Sequence, residues 1–168
     1  MPFQKEMTGL EKAPLQLYSC TVRPDWIDYL GHMNEGYYVV AFSRATDALL
    51  DEVGLGKAYR EKKNCGMYTV ESHVAYLREA HEAAEINFST VLLGVDAKRI
   101  HIFHHMYAGG NESPAATLEC VLLHVDQTEQ RVTQMPREAL MQLERIRAAH
   151  AALSIPSQLN RIKAKRQS

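Results

Sequence analysis

The chain is poor in cysteine, and its thiols are scattered. Cys20, Cys65 and Cys120 form no C-x-x-C pair and are odd in number, which argues against a disulfide framework. A reducing cytoplasm is the expected compartment. Long apolar runs are also missing. The longest local stretches, such as Val39-Val-Ala-Phe42, fall far short of the roughly 20 residues a membrane-spanning helix needs. The first residues, Met1-Pro-Phe-Gln-Lys-Glu6, are charged early and lack an apolar h-region, so they do not read as a signal peptide. A net charge of −1 leaves no strong bias of either sign, although the charge is uneven. Residues 137–168 hold seven Lys/Arg and two Glu, against twelve basic and eighteen acidic residues before them. The tail Arg161-Ile-Lys-Ala-Lys-Arg166 has the composition to touch nucleic acid or anionic lipid. Chain ends commonly fray, however, and the acidic remainder argues against nucleic acid as the main partner. No membrane partner is expected.

What remains is an ordinary globular composition, 46% hydrophobic and 23% charged over 168 residues, enough for one domain that needs no staples. Residues 1–14 read as a leader, 15–136 as the domain, and 137–168 as a C-terminal helix with a basic tail. Residues 15–23 alternate as a strand does and stop at Pro24. Tyr38, Phe42, Ala45, Leu49 and Val53 recur at helical spacing, which predicts a helix over 35–53 capped by Asn34 and closed by Gly54. The stretch 37–42 has no polar side, which predicts burial all round. Residues 56–66 are polar and read as loop. Four strand-like blocks follow, at 67–78, 84–95, 99–107 and 115–125, with turn signals at Asp96-Ala-Lys98 and across 108–114. No crossover helix fits between them, so an antiparallel meander is expected. Pro136 opens a last helix, with Leu140, Leu143, Ile146 and Leu153 as its apolar positions. Strand, long helix, four strands and short helix make an α+β domain. There is no internal repeat.

The run Val22-Arg-Pro-Asp-Trp-Ile-Asp-Tyr-Leu-Gly-His-Met-Asn-Glu-Gly-Tyr-Tyr38 holds the densest chemistry. It sets one carboxylate, Asp28, in a loop just ahead of a helix start. Free amides at a helix N-terminus stabilise a developing oxyanion, and a carboxylate beside them can act as general base or as nucleophile. Such a pairing suits attack on an acyl carbonyl. Taken without further context, Asp28 reads equally well as a turn or capping carboxylate.

The motif Asp28-x-x-Gly31-His32-Met33-Asn34 and the order of elements resemble the hot-dog fold thioesterases of the 4-hydroxybenzoyl-CoA thioesterase type, across roughly residues 17–135. The strand Glu71-Ser-His-Val-Ala-Tyr-Leu-Arg78 matches the family's extended strand ending in Tyr-Leu-Arg. Longer blocks, Pro24-Asp-Trp-Ile-Asp-Tyr29, Ala45-Thr-Asp-Ala-Leu49, Lys98-Arg-Ile-His101 and Leu122-Leu-His-Val-Asp126, look like the betainyl-CoA thioesterases of carnitine catabolism. The resemblance implies a long central helix wrapped by a curved antiparallel sheet of about five strands. It also implies hydrolysis of an acyl-CoA to a carboxylate and free CoA, with betainyl-CoA the favoured substrate, giving glycine betaine. Asp28 would be the catalytic carboxylate. The sites would lie at the interface of a homodimer, with dimers pairing into tetramers.

Around Asp28, His32 is a candidate to orient the acid or the substrate carbonyl, Asn34 caps the helix, and the amides near Glu35 and Gly36 are candidates for the oxyanion site. Glu71 and His73 share a strand face; facing the helix they would finish the pocket, and Glu71 would balance a cationic acyl group. Trp26, Tyr37, Tyr38 and Tyr68 are aromatic faces available to a quaternary ammonium, though plain core is the commoner use. Lys98 and Arg99 follow a tight turn and are candidates for CoA phosphates. No metal or other cofactor is expected, since the eight histidines show no zinc spacing. Three other readings remain open: a thioesterase for another short or aromatic acyl-CoA, a hot-dog acyl-CoA hydratase, and a non-catalytic acyl-CoA-binding module.

Overall fold

A computed structural model describes residues 12–154 and 156–159. The basic tail and most of the leader therefore lie outside the described residues. Helix α1 (Glu35–Glu52) follows strand β1 (Ser19–Thr21), and a short helix α2 (Lys57–Lys63) comes next. Strands β2 (Cys65–Tyr76), β3 (Glu85–Val95), β4 (Arg99–Ala108), β5 (Ala116–Asp126) and β6 (Arg131–Val132) precede helix α3 (Arg137–His150). All pairings are antiparallel, in the order β1-β3-β4-β5-β2, with β6 on β5. The sheet curls around α1 as a half-barrel, which is the hot-dog fold.

Helix α1 forms where the helical spacing places it. Asn34 is its N-cap, accepting from the Gly36 N–H at 2.9 Å, and Gly54 turns left-handed just past its end. Tyr38, Ala41, Phe42, Ala45, Leu49 and Leu50 are buried on its sheet side. Alanines at 41 and 45 let the backbone approach the sheet. The first turns are not buried all round, because Val39 is 42% and Val40 39% exposed.

The topology corrects the expected meander. Only β3, β4 and β5 form one; β2 crosses the molecule to pair with β5, where it is an edge strand. The run 15–23 is realised as the three-residue β1 plus one bridge from Leu15 to Thr90. Residues 57–63 are helical rather than loop. Asn64 closes α2 in the left-handed region, and Arg60, Lys62 and Lys63 sit at its C-terminal end, where the helix dipole favours cations. This helix buries no residue, so it leaves no apolar stripe to be read. Helix α3 adds Ala139, Leu143 and Ile146 to the main core. It also covers the edge of β3 beyond Thr90, where the Leu92 N–H donates to His150 Nδ1 at 2.9 Å.

Three histidines are structural. His104 sits fully buried between the Thr46 and Thr90 hydroxyls at 2.9 and 2.8 Å. Thr46 Oγ1 also donates to the Phe42 carbonyl, so His104 Nε2–H donates to Thr46 and Nδ1 accepts from Thr90. Burial pushes His104 down to about 3 and lowers His124 and His150 as well. His104 is neutral in the fold, and all three bind a proton less readily there than in an unfolded chain, where histidine titrates near 6.5. The unfolded state therefore takes up protons first as pH falls, and their stabilisation, complete above pH 6.5, is lost below it. His104 alone should lower the unfolding free energy by about 2 kcal/mol between pH 7 and pH 5, read by urea denaturation. A stability that rose over that interval would contradict a neutral buried His104.

Candidate active site

Residues 23–34 carry Asp28 to the start of α1. Pro24 opens a single helical turn to Trp26, after which Ile27 and Met33 bridge like a miniature hairpin. At its tip the Asp28 carbonyl accepts from the Gly31 N–H at 3.0 Å, and the Asp28 N–H donates to the His32 carbonyl at 3.1 Å. Gly31 has φ +86, a conformation that side chains disfavour. The loop is held down by Met33 N–H to the Ala80 carbonyl (2.8 Å) and Asn34 N–H to the Trp26 carbonyl (2.9 Å).

The Asp28 carboxylate is aimed by two contacts. Oδ1 accepts from the Leu30 N–H at 2.8 Å, and Oδ2 faces Asn34 Nδ2 at 3.5 Å. The Asn34 amide thus caps α1 with its oxygen and turns its NH₂ toward the acid. This bears on two expectations. The Gly36 N–H is already taken by Asn34 Oδ1, whereas the Glu35 N–H carries no hydrogen bond among the described residues. The His32 ring faces Glu79, Nε2 to Oε1 at 3.6 Å, while its backbone carbonyl accepts from the Asp28 N–H.

A cleft of about 320 Å³ opens here, bounded by Asp28, His32 and Glu35 on one side and by Tyr76, Arg78 and Glu79 on the other. Its floor includes Tyr38, a buried residue whose hydroxyl accepts from the Ala80 N–H at 3.0 Å and donates to the Arg78 carbonyl at 3.2 Å. Tyr76 meets Tyr38 edge to face at 5.3 Å, and its hydroxyl donates to the Glu35 carbonyl at 3.3 Å. Burial and the nearby Glu35 carboxylate raise the Tyr76 phenol above its ordinary value. Arg78 directs a guanidinium N–H at the Ser113 carbonyl.

Several candidates fall elsewhere. Trp26 is 3% exposed, stacked on Tyr37 at 5.4 Å, and the Arg44 guanidinium lies over its ring at 5.7 Å. Neither Trp26 nor Tyr37 lines the cleft. Glu71 and His73 face away from α1. Thr69 pairs with Leu122 on the helix side, but a bulge between Thr69 and Glu71 shifts the register, so Ser72 pairs with Cys120 there and Glu71 pairs with Val121 on the opposite face. One extra residue reverses every side chain beyond it. The same shift turns Tyr76 toward the cleft. Tyr68 accepts from Gln127 Nε2 at the far end of β2. Lys98 and Arg99 lie at that same level, since Arg99 pairs with Leu123 and Leu123 with Tyr68. Eight residues separate it from Tyr76, roughly 26 Å along the strand. Arg99 is also bound to Asp96 at 3.0 Å. The expected site omitted Tyr76, Arg78 and Glu79, although Tyr76-Leu-Arg78 was visible as the strand's closing motif. Among the described residues, no group of three His, Cys, Asp or Glu is arranged to hold a metal.

A central helix in a curled antiparallel sheet is the hot-dog fold, and the chain's relatives make it a thioester hydrolase. The chain belongs to the thioesterase-like superfamily, whose family model matches residues 22–143. It is 37% identical over 148 residues to the betainyl-CoA thioesterase of Pseudomonas aeruginosa, covering 88% of this chain and 93% of that protein. It is 38% identical to the L-carnitine dehydrogenase/betainyl-CoA thioesterase of Agrobacterium fabrum over 80% of this chain but only 28% of that longer protein. Among solved structures, a candidate thioesterase from Pseudomonas putida KT2440 superposes with a TM-score of 0.77 at 30% identity, covering 90% of this chain and 97% of that one. A Staphylococcus aureus protein solved in complex with CoA shares the fold, with a TM-score of 0.82 at 23% identity, covering 91% of this chain and 97% of that one.

Substitution of Asn34 separates its two tasks. Asp caps a helix as well as Asn does, so Asn34→Asp should keep α1 intact while setting a second carboxylate against Asp28. Like charge disfavours ionisation of Asp28, and the acid limb of the kcat/KM profile should move to higher pH. An unmoved limb would mean that Asn34 does not sense the reacting acid.

Proposed function

We propose that this chain hydrolyses betainyl-CoA to glycine betaine and CoA, with Asp28 as its catalytic carboxylate. The reading rests on one observation: Asp28 opens into a cleft at the start of α1, in a chain 37% identical over nearly its whole length to a betainyl-CoA thioesterase. The thioester carbonyl would lie between Asp28 and the Glu35 N–H, the amide left free at the helix start. Asp28 would act through Oδ2, the less tightly held oxygen, as base toward water or as nucleophile. The tetrahedral oxyanion would be met by the amide and the positive end of the helix. Thiolate then leaves without needing a strong acid.

The functional unit in this reading is a homodimer, acting in the cytoplasm. Among the described residues strand β2 pairs on one edge only, and an unpaired apolar edge is a template for association. Tyr68, Val70, Tyr76 and Leu77 at this edge are exposed, as are Val39 and Val40 on α1. A second copy would cover them and close the cleft. The three free thiols fit a reducing compartment.

Asp28→Asn should lower kcat for betainyl-CoA at least about a hundredfold with an unchanged far-UV circular dichroism spectrum; wild-type turnover by this variant would remove Asp28 from the chemistry. Val39→Glu combined with Val70→Lys should convert the dimer to a monomer in light scattering and lower activity with it. A wild-type protein that is already monomeric would refute the assembly.

A further inference from the structure

We infer that Glu35 and Tyr76 read the positive charge of the acyl group, an assignment that rests on the betainyl-CoA reading and sharpens it. The quaternary nitrogen of a betainyl group is two bonds from the thioester carbonyl carbon. Whatever recognises that charge must therefore line the cleft that holds the carbonyl. Asp47 on α1 lies twelve residues beyond Glu35, roughly 18 Å along the helix, and Glu71 faces the other side of the sheet. Neither reaches a carbonyl at Asp28 in the same chain.

The cleft has more negative charge than hydrolysis requires. Asp28, Glu35 and Glu79 line it together with Arg78 and His32. The chemistry needs one carboxylate. The phosphates of CoA lie a pantetheine arm away, but extra carboxylates beside the thioester oppose the negative charge that develops on its carbonyl oxygen. A cationic acyl group reverses that penalty. Glu79 lies between His32 and His81, at 3.6 and 3.9 Å. The Glu35 carboxylate has no ion pair and no hydrogen bond among the described residues, and Glu35 lines the same cleft as the half-exposed ring of Tyr76. That ring is backed by Tyr38 and tied by its hydroxyl to the Glu35 carbonyl. A carboxylate beside a fixed aromatic ring suits a trimethylammonium, which has no N–H to donate and is held by charge and by the ring's negative face.

The test compares betainyl-CoA with 3,3-dimethylbutyryl-CoA, which has the same shape with carbon in place of the charged nitrogen. Both are measured on each variant, so loss of folded protein cancels from the ratio of their kcat/KM values. The wild type should favour the cationic ester. Glu35→Gln should lower that ratio about tenfold, and Tyr76→Leu severalfold, chiefly through KM for betainyl-CoA, while Glu35→Asp should retain part of the preference. If the wild type favours betainyl-CoA and both variants keep its ratio, the assignment of Glu35 and Tyr76 is overturned and the substrate reading stands. If the wild type shows no preference for the cationic ester, the substrate reading fails and this inference fails with it.

Discussion

The Tyr38 hydroxyl joins the two halves of the cleft. It lies in the first turn of α1, accepts the Ala80 N–H and donates to the Arg78 carbonyl. Met33 completes the stitch through its own N–H to the Ala80 carbonyl. The exit of β2 is thereby fastened to the residues that carry Asp28. A buried donor or acceptor left unpaired costs about 1–3 kcal/mol; here each group finds its partner across the cleft, and the walls are held in register. The candidate site hangs on this seam, because Asp28, Glu35 and Tyr76 come from segments more than forty residues apart at their extremes.

The core behind the seam is held by pairing of the same kind. Phe42 meets Phe88 edge to face at 5.6 Å, and His104 is spent on two threonine hydroxyls. These groups fix how α1 sits in the curl of the sheet. The other side of the molecule is unfinished. The free edge of β2 and the valines of α1 expose apolar surface next to the cleft. In the proposed dimer a second copy would cover this surface and exclude water from around the carbonyl, which strengthens every charge inside.

The long helix and the strands were legible because each has an apolar face with its own period. The placement of Asp28 at the start of the helix was legible because its motif packs a turn, a carboxylate and a cap into seven residues. Helix α2 was not, because a helix without a buried stripe has no pattern to read. The orientation of Glu71 and His73 was not, because a bulge leaves no mark in a period-two sequence until the pairing is known. Tyr76 was hidden by that same bulge. Trp26 and Tyr37 carried the right chemistry for an ammonium, but the stack between them and the Arg44 guanidinium are contacts that no local spacing encodes.

Local interactions therefore settled the elements: periodicity, capping by Asn34, the left-handed glycines at 31 and 54, and the proline stops are short-range and are written directly in the chain. Tertiary structure alone decided which strand became the edge, which face of β2 met the helix, and which acid stood unpaired in the cleft. Those outcomes depend on pairing between distant strands and on the competition among side chains for the same partners. Such terms take definite values only once the sheet has closed around the helix.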